Sequence, residues 1–169
     1  MNAFDLEASL HRAKERLGSI ASGGRRRRSD AAASRIDPAL EQQLHSLLAV
    51  HDRPALREVL AQTRAFCLEH QLPVPTRTTI YARLARADTG RFRVADLPEP
   101  VRRALYNLDA ESLVPGHQLV FYAFNYGELD AVMFASGMPW LALYQAARLP
   151  GWRPKSSGLL RAVMRARGI

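Results

Sequence analysis

Residues 54–86 are PALREVLAQTRAFCLEHQLPVPTRTTIYARLAR. Apolar side chains recur three and four apart over residues 56–67, which predicts a helix with one buried face, opening at residues 52–54. The two prolines of the following Leu-Pro-Val-Pro end this helix, because proline is not accommodated in a helix interior. Thr76 is a favourable N-cap, so a further helix is predicted to follow it as far as Arg86. The stretch therefore predicts two helices joined by a tight turn.

The residues before this segment divide into a basic arm and the start of the folded part. Residues 3–17 are predicted to form a short amphipathic helix. Residues 18–35 are rich in glycine and serine and contain four consecutive arginines, which is typical of a flexible basic linker. Asp37 and Pro38 suit the N-cap and first position of a helix. Leucines at helical spacing follow at Leu40, Leu44, Leu47 and Leu48.

Beyond residue 86, residues 88–90 predict a turn. Polar and apolar residues alternate over residues 91–94, which is typical of a short strand. This strand is where the wing of a winged helix is expected. A fourth helix is predicted over residues 98–108. Pro115-Gly116 is then predicted to be a break.

The second half of the chain is more apolar. Residues 119–124 predict either a buried strand or the start of a core helix. A helix beginning at Leu129 is predicted to stop at Gly137, and another is predicted to start at Pro139. The side chains of Trp140, Leu143 and Tyr144 in this helix are typical of a protein core or of a dimer contact. A last helix is predicted to be capped by Ser156 or Ser157, with Leu159, Leu160, Val163 and Met164 facing inward.

These elements predict a mainly α fold: a helix-turn-helix or winged-helix module with a helical C-terminal region and at most a short strand or hairpin. The predicted division is a flexible basic arm at 1–36, a module at 37–108, and a mainly helical region at 109–169 for dimerisation or partner binding. Whether residues 109–169 form a separate domain or complete the first core is left open by the sequence.

Composition sets limits on the class of protein. The chain has 169 residues, a net charge of +8 and a single cysteine, Cys67. One cysteine excludes an intramolecular disulfide and a cysteine-rich zinc site, which favours a reducing cytoplasm. No apolar run approaches the roughly 18 residues of a membrane span, and the N-terminus lacks the pattern of a secretory signal. Nearly all cations are arginines, which suit phosphate or guanine binding.

The predicted helix after Thr76 has the chemistry of a DNA-reading helix. Its threonines can bond phosphates, and its free amides favour an anion. Ile80 and Leu84 are predicted to pack inward, while Arg77, Thr79 and Arg83 point outward. The same pattern also occurs in an ordinary capped helix with a solvated basic face. The predicted DNA-binding residues are Thr76, Arg77, Thr78, Thr79, Arg83, Arg86, Arg91, Arg93, Arg25, Arg26, Arg27 and Arg28.

Residues 64–84 resemble the helix-turn-helix that precedes the catalytic core in Mu-like transposases and retroviral-type integrases of bacterial mobile elements. The shared features are a helix ending in a charged residue, a Leu-x-x-Pro-Ser/Thr turn, and a Thr-Val/Ile-Tyr-x-Arg-Leu recognition helix. The resemblance implies DNA contact by Thr76, Arg77, Thr79 and Arg83. It does not imply transposition, because no carboxylate-bearing nuclease domain is recognisable in this chain.

Other basic stretches have two interpretations each. Residues 25–28 could follow phosphates or enter a minor groove, or they could be a solvated linker. Arg91 and Arg93 could hold an adjacent DNA backbone or lie free on the surface. The C-terminal cations form either a second phosphate-binding surface or a solvated face, and they are Arg153, Lys155, Arg161, Arg165 and Arg167.

Catalytic motifs are not evident. The five histidines have no metal-ligand spacing, the acids form no paired motif, and neither a phosphate loop nor a Gly-x-Ser-x-Gly turn is present. Cys67 lies on an apolar helical stripe and is predicted to be inert packing. We therefore expect no enzyme activity, no metal and no cofactor.

The function expected from the sequence is sequence-specific binding of double-stranded DNA by a cytoplasmic transcriptional regulator of a bacterial or mobile-element locus, acting as a homodimer. The alternative is an interaction protein, such as an antitoxin-like or defence-system accessory subunit, that binds a protein or RNA partner. The aromatic stretches at residues 121–126 and 140–144 motivate that alternative. No membrane association is expected.

Overall fold

Leucines at helical spacing begin the folded part at Pro38, the first residue of the first helix. The computed structural model describes residues 36–169, so the predicted helix at 3–17 and the basic linker, with Arg25, Arg26, Arg27 and Arg28, lie outside the described residues. Residues 38–169 form one compact unit.

The described elements are mainly helical, as predicted. In chain order they are α1 (Pro38–Leu48), α2 (Leu56–Glu69), α3 (Arg77–Leu84), β1 (Arg91–Arg93), a single 3₁₀ turn (Val94–Asp96), α4 (Glu99–Ala104), β2 (Leu113–Pro115), α5 (Gly116–Tyr126), α6 (Leu129–Ser136), α7 (Trp140–Ala146) and α8 (Pro154–Ala166). No helix among residues 36–169 is both long enough and apolar enough to cross a membrane.

The predicted strand at residues 91–94 is present as β1, but its partner was not predicted. β1 pairs antiparallel with β2, and Phe92 lies opposite Val114. The break predicted at Pro115-Gly116 is instead the junction between β2 and α5. Because α4 lies in the connection between the strands, the two strands are not joined by a tight hairpin turn.

Several helix boundaries differ from the sequence prediction. α3 ends at Leu84, two residues short of the predicted Arg86. α2 begins at Leu56 after an extended Ala55 that makes no side-chain cap. α4 ends at Ala104, short of the predicted residue 108, and Leu105 leaves helical geometry. α8 begins at Pro154, so Ser156 lies inside the helix and is not its cap. Proline suits the first helical position because its missing N–H has no partner to lose there.

The main core is built around α5, which packs against α4, α6, α7 and α8. The stretch at residues 119–124 is therefore a core helix, and Leu119, Val120 and Ala123 are fully buried in it. Core residues come from Val94 through Leu160, so this core crosses the boundary predicted between residues 108 and 109. On α8, Leu160 is buried and Val163 and Met164 are half-buried against the core, as predicted, whereas Leu159 is 46% exposed.

Side chains of the C-terminal half donate hydrogen bonds to backbone carbonyls at the ends of α1 and α3. The Trp140 indole N–H donates to the Leu48 carbonyl at 3.1 Å, at the end of α1. The buried Gln145 amide donates to the carbonyls of Leu84 (2.9 Å) and Ala87 (2.7 Å), at the end of α3. The last carbonyls of a helix have no partner within it, so these donors replace solvent there. Trp140 is therefore a core residue and not a dimer contact.

Arg167 also bonds backbone carbonyls in this region. Its guanidinium donates to the carbonyls of Ser136 (2.8 Å), Met138 (2.6 Å) and His51 (3.3 Å). These carbonyls belong to the α6–α7 turn and the α1–α2 loop. Arg167 is consequently a structural residue, although the sequence grouped it with the C-terminal surface cations.

Replacing Gln145 by leucine is expected to leave the carbonyls of Leu84 and Ala87 without their donor. A buried polar group that loses its partner costs about 1–3 kcal/mol, so Gln145→Leu should lower the free energy of unfolding by at least about 1 kcal/mol. Urea unfolding followed by circular dichroism measures this. Gln42→Leu, on an exposed position of α1, is the matched control and should stay within about 0.5 kcal/mol of the wild type. Equal losses in the two variants would contradict the assigned role of Gln145.

Candidate nucleic-acid interface

The turn between α2 and α3 is fixed by short-range contacts. Gln71 takes a left-handed backbone conformation, with φ 54°. The Leu72 N–H donates to the Cys67 carbonyl at 2.8 Å, and the Cys67 thiol lies 3.8 Å from the Pro73 carbonyl oxygen. Cys67 is fully buried, and burial raises the pKa of its thiol, which disfavours the nucleophilic thiolate. Cys67 therefore packs the turn and is unsuited to nucleophilic chemistry.

Thr76 caps α3 as predicted. Its hydroxyl oxygen accepts a hydrogen bond from the Thr79 N–H at 3.2 Å, and the two hydroxyl oxygens lie 2.8 Å apart. Thr79 is half-buried, whereas Thr78 is exposed. The threonines thus divide into a capping pair, Thr76 and Thr79, and one side chain in solvent, Thr78.

The outer face of α3 carries an arginine stacked on a tyrosine. The Arg77 guanidinium lies 5.7 Å from the centre of the Tyr81 ring, and its Nη2 is 3.5 Å from the tyrosine hydroxyl. Arg77 is exposed, and Tyr81 is 41% exposed. The four-residue spacing could have revealed this pair, because residues i and i+4 are neighbours on a helix.

The inner face of α3 contains one residue that was predicted to lie outside. Ile80 is fully buried and Leu84 is 6% exposed, as predicted. The Arg83 side chain, however, is only 16% exposed, and its Nε lies 3.2 Å from a carboxylate oxygen of Glu41 on α1. The outward prediction for Arg83 was wrong because the residue borders the buried stripe and an acid on the neighbouring helix faces it.

The arginines after α3 fall into two groups. Arg86 and Arg91 are exposed and line a cleft of about 390 Å³. Arg93 forms an ion pair with Glu111, which neutralises part of its charge. Between Glu69 and Asp88 the chain contains no acidic residue, and its arginines in this segment are Arg77, Arg83 and Arg86.

The C-terminal cations do not form one surface. The Arg153 guanidinium stacks 4.6 Å from the centre of the Tyr126 ring and donates to the Asn125 carbonyl at 2.9 Å. Lys155, Arg161 and Arg165 are exposed on α8. Arg167 is engaged by backbone carbonyls, as described above. Exposed cations on α8 are fewer than the sequence indicated.

Residues 36–169 contain no group of three or more His, Cys, Asp or Glu side chains that could hold a metal ion. One histidine, His117, is held in a defined setting at the start of α5. The Thr89 hydroxyl oxygen accepts a hydrogen bond from the backbone N–H of His117 at 3.3 Å. The same oxygen lies 3.0 Å from Nδ1 of the His117 ring. Burial lowers the pKa of His117, and nearby Asp88 opposes this effect only in part. His117 is therefore neutral at neutral pH.

Comparison of the chain with protein-family models, with curated proteins and with solved structures gives no match.

Loss of the α3 cap should weaken the helix start without touching its outer face. Thr76→Ala is expected to lower the free energy of unfolding by about 1 kcal/mol, because one amide loses its acceptor. Thr76→Ser keeps a hydroxyl and should retain most of that stability. Thr78→Ala, at an exposed position two residues further along, is the control and should change stability by less than about 0.5 kcal/mol. Chemical unfolding of the three variants tests this, and a serine variant as unstable as the alanine variant would exclude the capping role.

Proposed function

We propose that this chain is a sequence-specific double-stranded DNA-binding protein that regulates transcription of a bacterial or mobile-element locus. The carrying observation is the outer face of α3, where exposed Arg77, Thr78 and Tyr81 lie on a helix seated by Ile80 and Leu84. The resemblance of residues 64–84 to transposase and integrase helix-turn-helix modules supports the same assignment.

The dimensions and charge of α3 suit the major groove. An α-helix with its side chains is about 10–12 Å across, which matches the major groove of B-DNA, about 12 Å wide. With no acid between Glu69 and Asp88, no side chain of this segment repels phosphates. Arg77 stands in the first turn, where recognition helices contact base edges.

In this proposal the residues have distinct roles. Arg77 binds a guanine edge or a phosphate, and Thr78 donates to a phosphate. Tyr81 restricts the Arg77 side chain by stacking on it, so less conformational entropy is lost on binding. The ribbon of β1 and β2 takes the position of a wing, with Arg91 directed to the DNA backbone. Thr76, Thr79 and Arg83 support the helix, because their polar groups are engaged within the protein.

A second function, binding of a protein partner, is favoured by one surface that the sequence did not indicate. Leu129 is 71% exposed, Met133 is 64% exposed and Phe134 is 37% exposed, all on α6. Exposed apolar side chains grouped on one helix are typical of an interaction surface. The aromatic stretch at residues 140–144 is less suitable for this role, since residues 140–143 are buried. Such a surface fits either the proposed homodimer or an antitoxin-like accessory subunit with another protein.

Substitution at Arg77 tests the DNA-reading role. With a duplex enriched from a random pool by the wild type, Arg77→Ala is expected to bind about 5- to 100-fold more weakly, because one good base contact contributes about 1–3 kcal/mol. Fluorescence anisotropy at fixed physiological salt measures the loss.

Arg103→Ala is the matched control for this experiment. Arg103 is an exposed arginine on α4 whose charge is already paired with Glu99 at 2.6 Å, so its loss should leave duplex affinity nearly unchanged. Retention of both affinity and site preference by Arg77→Ala would show that α3 does not read the DNA. If the chain instead purifies as a stable complex with another protein, and that complex does not bind DNA, the partner-binding function would be favoured.

A further inference from the structure

A basic cleft lies directly after the end of α3. It has a volume of about 390 Å³, and its lining among residues 36–169 comes from four places in the chain: the segment after α3, the first residue of β1, Pro115 and His117 around the junction of β2 and α5, and Gln145 of α7. A smaller adjoining cavity of about 160 Å³ shares Ala85, His117 and Gln145 with it and adds Arg148. The two spaces adjoin each other and form a groove beside the C-terminal end of α3.

Three arginines give this groove its charge. Arg86 and Arg91 line the larger space, and among residues 36–169 neither forms an ion pair. Arg148 lines the smaller space, where it donates to the Tyr144 hydroxyl at 2.7 Å and stacks 5.3 Å from that ring. Arginine presents a planar fork of donors that matches the oxygens of a phosphate.

Among residues 36–169, Asp88 is the only acid in the lining of the larger space. Its carboxylate accepts the Gly90 N–H at 3.0 Å and so shapes the turn before β1. His117 is neutral at neutral pH and adds no fixed charge. Two arginines against one carboxylate leave the larger space with a net positive charge, which Arg148 increases.

The wall of the cleft depends on a glycine at the start of α5. A Cβ at position 116 would lie 2.5 Å from the Thr89 carbonyl oxygen, which is closer than real contacts allow. Only glycine therefore lets α5 approach the turn at residues 88–90. The opposite wall is held by Gln145, whose amide is bonded to the end of α3. The arginines thus project from a backbone that is fixed relative to α3.

We propose that this cleft binds a phosphate of the DNA backbone beside the groove that α3 enters, with Arg86 and Arg91 as its ligands and Arg148 as an adjoining contact. The inference rests on the proposed function and adds Arg86 and Arg148 to the backbone contact proposed there for Arg91. Phosphate contacts fix the position of a protein on DNA, and base contacts supply the sequence choice. The cleft follows α3 directly in the chain. DNA contact at both the cleft and the outer face of α3 would therefore fix the angle of the helix in the DNA major groove.

The salt dependence of binding tests the assignment. Arg91→Gln and Arg86→Gln are each expected to weaken binding to the enriched duplex and to a scrambled duplex by the same factor. Because the two arginines share one phosphate, each variant should reduce the magnitude of the slope of log K against log salt by up to about 0.9. Arg103→Gln is the control and should leave the slope unchanged. Unchanged slopes in both cleft variants, with wild-type α3 preference retained, would overturn this inference alone.

Two further outcomes separate the inference from the proposed function. Absence of duplex binding by the wild type would overturn the proposed function and with it the DNA assignment of the cleft. Thermal unfolding in inorganic phosphate, without DNA, tests a free phosphate as the occupant. Stabilisation of the wild type at low millimolar phosphate, lost in Arg91→Gln, combined with unchanged duplex slopes, would assign the cleft to a small phosphate ligand and overturn the backbone contact.

Discussion

The position of α3 depends on the two hydrogen bonds that the Gln145 amide donates to the carbonyls of Leu84 and Ala87. α3 has eight residues, and helices this short are marginal in isolation because nucleation is costly. Its start is fixed by Thr76 and its end by Gln145, so both sets of unpaired backbone groups are partly satisfied. Since α7, which carries Gln145, packs on α5, the orientation of α3 is set by the main core.

The same dependence extends to α1. Trp140 and Arg167 bond carbonyls at the end of α1 and in the loop that follows it, and Arg83 of α3 pairs with Glu41 of α1. These contacts explain why residues 38–169 form one compact unit. In the proposed function, the C-terminal half consequently does more than offer a partner surface. It holds the DNA-reading helix in place and contributes His117, Gln145 and Arg148 to the cleft beside it.

Features governed by neighbouring residues could be predicted from the sequence. The Thr76 cap, the end of α2 before Pro73, and the burial of Ile80 and Leu84 follow from backbone chemistry and helical spacing. Features that depend on distant partners could not. Arg83 turns inward because Glu41 is near it in space, and residues 119–124 are helical because four helices surround them. The pairing of β1 with β2 bridges a helix, and no local turn signal marks it.

The candidate site shows the same division. Arg77 was predicted from its place in the first turn of α3, and Arg86 and Arg91 from their charge. The cleft itself could not be predicted, because its lining comes from α3, β1, α5 and α7. His117 and Gln145 have no sequence pattern that marks them as members of one site. Gly116 is a partial exception, since a glycine at the start of a helix indicates a close backbone approach.

In the proposed function, the outer face of α3 binds duplex DNA. The most direct test is the affinity of the wild-type chain for random duplex DNA, single-stranded DNA and duplex RNA, measured by fluorescence anisotropy across a salt series. The proposed function predicts tightest binding to duplex DNA, weakening steeply as salt rises. No binding to duplex DNA at low salt, or stronger binding to RNA than to DNA, would contradict it.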